Sequence, residues 1–386
     1  MNTPLGWAEI DLTAIAHNIG ELRRCIGDGP RFMAVVKADA YGHGAERVAR
    51  QALSAGAQWL GVARIDEGIA LRRAGLDAPI LIFGYTPPAR AIDLLANDLT
   101  ATVFAGPVAE AYARTAVSEG KTLKVHLKVD TGMGRLGLVA GLEQISLTGK
   151  AVTGNALREV ETIAGLKGLA LEGIFTHFAA ADSTDKTYAH AQLERYMDFL
   201  DNLGRIGIEI PLRHTANSAA IIDFPQSHLD MVRAGIAMYG LPPSDETNLS
   251  QVTLKPAMAL KARIIHLKQV PAAFPVSYGM TWHSTRPTTI ATVPIGYADG
   301  FSRLLSNRGE MLVCGRRAPI AGRVCMDLTM LDVGHIPQAS VEDEVVLIGH
   351  QGEDALTAED LARHAGTINY EVVSAIAARV PRIYIS

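Results

Sequence analysis

The strongest constraint on this chain is an alternation running through its first 240 residues: short apolar runs with strand character, most followed by an amphipathic helical stretch. Strands are expected at 32–36, 60–63, 80–83, 101–104, 123–129, 171–177, 212–214 and 230–233, with helices at 45–53, 66–73, 108–117 and 192–203 among those between them. Runs this short and apolar suit strands whose two faces are both covered, the condition of a parallel sheet. Eight strand–helix units in this length fit a closed (β/α)8 barrel of the TIM type. The last two strands are weakly marked, so an open doubly wound sheet stands as the second reading.

After Leu241-Pro242-Pro243 the texture changes. Strand-like runs at 258–269, 288–295, 310–313, 324–333 and 344–348 are punctuated by turn residues, which reads as a mostly β second domain. Thr357 followed by Asp360 has the capping-box pattern of a helix start. A second helical stretch follows Tyr370, and 379–384 closes the chain as a strand. The expected division is a barrel over 1–240 and a β domain over 241–386. The stretch 141–160 is rich in Gly, Thr and Ser and reads as a loop, a candidate surface insertion.

Composition narrows the partners. A net charge of -4 supplies no basic excess to neutralise phosphates, which argues against nucleic acid. Cys25, Cys314 and Cys325 stand far apart with no zinc or disulfide spacing, which points away from a metal site and toward a reducing compartment. No basic segment with an apolar stretch opens the chain and no apolar run is long enough to span a bilayer, so a cytoplasmic protein is expected.

In such barrels chemistry sits where strands end and loops begin. The first strand runs into Lys37-Ala38-Asp39-Ala40-Tyr41-Gly42-His43-Gly44. A lysine at that place would face the barrel mouth, where burial lowers its pKa and allows a Schiff base; a salt bridge to an acid such as Asp39 is the alternative. The fifth strand leads into a GxGxxG match at 132–137, which reads as a turn that aims Arg135 rather than as a dinucleotide loop. Arg135 suits a carboxylate or phenolic oxygen, or is a surface arginine. His177 ends the sixth strand as a catalyst or a hydrogen-bonded core residue. Asn217-Ser218 and Arg233-Ala234-Gly235-Ile236 end the seventh and eighth, where barrels commonly hold phosphate.

The run AVVKADAYGHG (34–44) closely resembles the cofactor-lysine motif of the alanine racemase family. LKVDTGMGRLG (127–137), EGIFTHFAAAD (172–182), ANSAA (216–220), VRAGIAMYG (232–240), SYGM (277–280), GYADG (296–300), GRVCMD (322–327) and TINYE (367–371) follow in the family's order and span nearly the whole chain. The resemblance implies a pyridoxal-5'-phosphate-binding barrel followed by a β domain that the first 11 residues join. It also implies a head-to-tail homodimer with active sites at the subunit interface. The implied reaction interconverts L- and D-alanine, supplying D-alanine for the bacterial cell wall.

By the same resemblance Lys37 holds the cofactor as a Schiff base and serves as one catalytic base, and Tyr278 from the other subunit serves as the second. Arg233 faces the cofactor's ring nitrogen with His177 behind it, and Arg135 lies near the phenolic oxygen and the substrate carboxylate. Tyr41, Ser218, Gly235, Ile236 and Tyr370 match phosphate-binding positions, and Asn217 lies beside them. Met326 and Asp327 match substrate-side positions from the other subunit, Tyr297 the entrance, and Lys128 a lysine that is often carbamylated. Two rivals remain: a related barrel-type amino-acid decarboxylase, disfavoured by arginine at 233 and by Tyr278, and a non-catalytic pyridoxal-phosphate-binding protein, which is typically a barrel alone.

Overall fold

The computed structural model describes residues 4–140, 144–145, 151–152 and 155–386. It forms two compact units: Ile15–Ala38 with Ala45–Lys255, and Met1–Ala14 with Asp39–Gly44 and Pro256–Ser386.

The first unit is the barrel. Its eight strands are Arg31–Val35, Trp59–Val62, Ile80–Ile82, Thr100–Val103, Leu123–Asp130, Leu169–Phe175, Leu212–His214 and Met231–Ala234. Each pairs in parallel with the next as far as the seventh. The eighth pairs in parallel with the first, from Met231 opposite Arg31 to Ala234 opposite Ala34. The seventh and eighth share no ladder, and two backbone bonds bridge them: Asp230 N–H to Arg213 O (3.0 Å) and Arg233 N–H to Ala216 O (3.0 Å). Arg213 and Asp230 add a side-chain pair at 2.7 Å. This near-closed ring overrules the open-sheet reading. Met33, Trp59, Leu81, Phe175, Leu212 and Met231 fill the interior as one buried cluster, as expected of a barrel whose centre is packed core and not a pore.

The barrel helices bury one stripe each. In Ala45–Ser54 it is Val48, Ala49 and Ala52; in Thr187–Arg205 it includes Ala189, Leu193, Tyr196, Phe199 and Leu203, the three-to-four spacing of a helix face laid on a sheet. Part of the 141–160 stretch lies outside the described residues. Of the rest, Gln144–Ile145 pairs antiparallel with Ala151–Val152, and the loop expectation fails at its end, where the helix Asn155–Ala164 begins.

In the second unit, the strand Gly6–Asp11 runs antiparallel to Met258–Arg263 and parallel to Arg382–Ile385. The sheet continues through Glu344–Gln351 and Glu310–Val313 to Arg316–Pro319. A three-stranded sheet of His266–Val270, Thr288–Val293 and Thr329–Asp332 accompanies it. Two sequence expectations need correction here. The run 258–269 is two strands in different sheets, because the chain turns at Ile264-Ile265. The run 324–333 is a strand only from Thr329, since Cys325 N–H bonds Leu328 O (2.9 Å) in a tight turn before it. The capping box at Thr357 is present, with its hydroxyl accepting from Asp360 N–H at 3.1 Å.

Candidate active site

The first barrel strand delivers Lys37 at its C-terminal end, and the chain then does something unusual. Ala38, Asp39, Ala40 and Tyr41 all have φ between +52° and +54°, and Gly42 follows at +84°. This is one turn of left-handed helix built on L-residues, at about 1–2 kcal/mol of strain each. Local bonds hold it. Glu67 accepts from Ala38 N–H (2.6 Å) and, through its other oxygen, from Ala63 and Arg64 N–H (2.8 and 2.9 Å). Gly44 N–H reaches Asp39 O (2.9 Å), and buried His43 donates from Nδ1 to Ala40 and Tyr41 O. A Cβ on Gly42 would lie 2.2 Å from Val373 O, so glycine is required there by space as well as by φ.

Around Lys37 the barrel gathers cations. Burial, then Arg135 and Arg233, lower the Lys37 pKa, with Glu67 opposing. Lys128, on the fifth strand and 5% exposed, is lowered to about 8 by burial, Arg135 and Arg233, with Asp130 opposing. Asp130 itself is committed to the GxGxxG turn: its Oδ1 accepts from Gly132, Met133 and Gly134 N–H at 2.9–3.1 Å. That turn carries Arg135, whose side chain is solvent-exposed yet near enough to depress both lysines.

Arg233 is the buried centre of the site, 4% exposed. Its Nη1 donates to His214 Nδ1 and His214 O, both at 2.9 Å. Its Nη2 donates to Thr176 O and Thr215 O, both at 2.8 Å, and to His177 Nδ1 at 3.3 Å. Burial lowers its pKa to about 10, which leaves it charged at neutral pH. No ion pair neutralises it among the described residues, and Nε–H is the guanidinium donor that these bonds leave over. Because arginine only donates, His177 accepts at Nδ1 and carries its proton on Nε2. Burial and the cations Arg233, Arg135, Lys128 and Lys37 hold His177 neutral, well below the usual histidine range.

The loops after strands seven and eight meet at Ser218. Its hydroxyl accepts from Gly235 N–H (2.9 Å) and Ala237 N–H (3.3 Å). Ile236 opens the 3-10 turn Ile236–Tyr239, whose first N–H groups lack helical acceptors. Asn217 caps the short helix Ser218–Asp223 by accepting from Ala220 N–H (3.1 Å), so its side chain has a structural task.

The second unit brings together the other named residues. Tyr41 and Tyr370 have ring centroids 6.3 Å apart. Tyr278 is 71% exposed on a turn whose Ser277 (φ +66°) donates to Arg323 O at 2.6 Å. Tyr297 N–H and Ala298 N–H bond Cys325 O and Met326 O (both 3.0 Å). Arg379 bridges Asp299 (2.6 Å) and Asp327 (2.7 Å). Tyr278, Tyr297, Met326 and Asp327 thus stand on a connected, exposed surface of this unit.

Sequence reading passed over Glu67, Thr176, His126 and His214. For His126 and His214 the only signal was a histidine within or ending a short barrel strand, and each strand carries other polar residues. Among the described residues no group of three His, Cys, Asp or Glu side chains could hold a metal, and no helix is long and apolar enough to cross a membrane.

The cluster fits an anionic aromatic cofactor that carries a phosphate. Four cations crowd one barrel mouth, the two acids that act on its lysines, Glu67 and Asp130, accept from backbone N–H groups, and a buried arginine offers a spare donor. The comparisons agree with this chemistry. Residues 10–243 match the model of the alanine racemase N-terminal domain and residues 257–384 that of the C-terminal domain. An alanine racemase of Desulfosudis oleivorans is 51% identical over 384 residues, covering 100% of this chain and 97% of that protein. The solved alanine racemase of Clostridium difficile 630 superposes with a TM-score of 0.91 at 40% identity, covering 100% of this chain and 97% of that one. A Bacillus anthracis alanine racemase with bound L-Ala-P gives 0.89 at 39% identity, covering 100% and 96%. Matched along both halves and sharing half its residues with a full-length relative, the chain belongs to the alanine racemase family, whose members are pyridoxal-phosphate-dependent racemases.

Proposed function

We propose that this protein interconverts L- and D-alanine using pyridoxal 5'-phosphate held on Lys37. The observation that carries the proposal is Arg233: a buried, charged guanidinium with no carboxylate paired to it among the described residues, lodged among carbonyl oxygens and two neutral histidines. When bound, the cofactor supplies an electron-withdrawing ring that takes up charge left at the substrate's α-carbon. Arginine gives no proton away at neutral pH, so Arg233 would donate a hydrogen bond to the ring nitrogen while leaving it unprotonated. That restrains the electron demand and favours return of the α-proton over its loss to side reactions. The Ser218 hydroxyl, which can still donate, and the Ile236 N–H beside Gly235 would hold the phosphate, with the phenols of Tyr41 and Tyr370; Arg135 would receive the alanine carboxylate, with Met326 and Asp327 of a second copy on the substrate side.

Racemisation removes a proton from one face of a carbon and returns one to the other, so one base per face suffices. Lys37, its pKa lowered by burial and cations, serves the D-alanine face. Tyr278 of a second copy serves the L-alanine face. His177, whose proton sits on Nε2, can donate a hydrogen bond to that phenolic oxygen. Exposure of Tyr278 (71%), Met280 (60%) and Met326 (53%) supports a homodimer that covers this surface. Lys128, with a pKa of about 8, keeps enough neutral amine at pH 7 to take up carbon dioxide as a carbamate, which would accept from Arg135. The product, D-alanine, suits supply of the cell-wall precursor in the cytoplasm.

The test is to incubate pure protein and cofactor with each alanine enantiomer and follow optical rotation. Both should decay to zero rotation. Carbon dioxide release from basic amino acids would favour the decarboxylase reading, and bound cofactor without either reaction the non-catalytic one.

A further inference from the structure

The hydrogen bonds of Arg233 continue away from the site, through the barrel interior. His214 Nε2 lies 2.9 Å from His126 Nδ1, and His126 Nε2 lies 3.8 Å from Glu172 Oε2, an ion-pair distance. Both histidines are fully buried, and the racemisation chemistry uses neither them nor Glu172. The direction of the chain follows from one fact. A guanidinium cannot accept, so His214 Nδ1 must be the acceptor from Arg233. Neutral His214 then carries its proton on Nε2 and gives it to His126 Nδ1. Neutral His126 in turn carries its proton on Nε2, aimed at the Glu172 carboxylate. The cation sets one end; at the other, His126 Nε2–H faces the Glu172 carboxylate across 3.8 Å, too far for a hydrogen bond, and neither His126 Nε2 nor Glu172 Oε2 has a hydrogen-bond partner among the described residues, so that end is held by charge alone.

Independent features show that this chain is built. The sixth strand breaks register between Leu171 and Gly173, leaving Glu172 as the extra residue of a bulge, a device that re-aims a side chain. A Cβ on Gly173 would lie 2.6–2.7 Å from the His126 ring, so only glycine leaves the ring its place. Phe175 stacks on His214 (4.9 Å, 11°), and Trp59 packs against His126 at 5.3 Å. EGIFTHF (172–178) therefore begins with a bulge and a ring cradle, well before His177.

We propose that Glu172 and His126 are positioning residues for Arg233: through His214 they lock the histidine tautomers that let the guanidinium keep its orientation. The proposal rests on the reading that Arg233 faces the cofactor. It also makes a coupled prediction. A second proton on His126 turns its Nδ1 into a donor. His214 must then accept at Nε2 and move its proton to Nδ1, where it meets an Arg233 N–H donor to donor. The groups bearing on His126 are Glu172, which favours that proton, and Arg233, which opposes it, with His214 bonded to its Nδ1. Lys124 and Arg31 act on Glu172.

The experiment uses protein labelled with 15N-histidine, with and without bound pyridoxal phosphate, and reads tautomers by NMR across pH. At neutral pH both Nδ1 atoms should be unprotonated. On acidification His126 protonation and the His214 tautomer switch should share one midpoint, and Glu172→Gln, lacking the counter-charge, should move that midpoint down by about one pH unit. His126→Phe, which keeps the ring but not the bond, should lower kcat about tenfold while KM for alanine stays near the parent value. A proton on His214 Nδ1 at neutral pH, or an unmoved midpoint in Glu172→Gln, overturns the proposal. So does unchanged kcat in folded His126→Phe, and should that variant not fold, the Glu172→Gln titration decides alone. Correct tautomers in a protein that racemises nothing would count against the proposed activity and leave the relay standing.

Discussion

Replacing alanine by glycine in this protein should have opposite effects at two places. Ala38 is exposed, so its methyl adds little burial, but its φ of +52° places it in the left-handed turn after Lys37. Glycine there releases about 1–2 kcal/mol of strain and costs about 0.5–1 kcal/mol of extra unfolded-state freedom. The balance is a stabilisation of up to about 1.5 kcal/mol, or up to about 2 °C in Tm for a chain of this length. Ala111 lies inside the ordinary helix Gly106–Ser118, and Ala111→Gly should destabilise by about 1 kcal/mol. Thermal unfolding of both variants, with cofactor at fixed concentration, gives the comparison. The turn also aims Lys37, so Ala38→Gly should reduce kcat even as it raises Tm. Equal destabilisation by the two changes would refute the assignment of strain to this turn.

Three further outcomes follow from the site. His43 is fully buried with its pKa lowered to about 4 by burial. The unfolded chain therefore binds its proton first, and stability should fall as pH drops from about 6.5 to 4, by up to about 3 kcal/mol from this group; a flat stability profile over that window would contradict it. Lys128 should yield a carbamate signal in 13C NMR under labelled carbon dioxide that Lys128→Ala lacks. Arg233→Glu should lower racemisation and raise transamination relative to it, measured as pyruvate formed per turnover; a falling rate with no change in that ratio would point to simple loss of folding.

Legibility in the sequence tracked how local the cause was. Strands such as Trp59–Val62 and Ile80–Ile82 could be read because strands buried on both faces are short apolar runs, although Leu123–Asp130 alternates and the last two are weakly marked. Closure was legible only from the count of strand–helix units, because two of the three residues of the seventh strand are polar, and Arg213 with Asp230 secures it through contacts a sequence does not display. The break at Ile264-Ile265 was hidden by an apolar run that continues across two sheets. The helix Leu12–Ile26 was passed over although Asp11 marks it, accepting from Ala14 N–H at 2.9 Å. Residues at strand ends stood out as chemistry because barrels place function there. The left-handed turn did not, since Ala-Asp-Ala-Tyr reads as ordinary helix until φ is known. His126 and Glu172 sit within strands, where only three-dimensional placement reveals what their polarity is for.

The central claim is that an amine from one subunit and a phenol from another flank the same carbon. Lys37→Ala and Tyr278→Phe should each be nearly inactive alone. Mixed, dissociated and reassociated, half the dimers would be hybrids with one intact site of two, so activity should recover to about a quarter of the parent's. No recovery, in a mixture shown by sedimentation to contain hybrid dimers, would mean that the two groups do not meet across an interface.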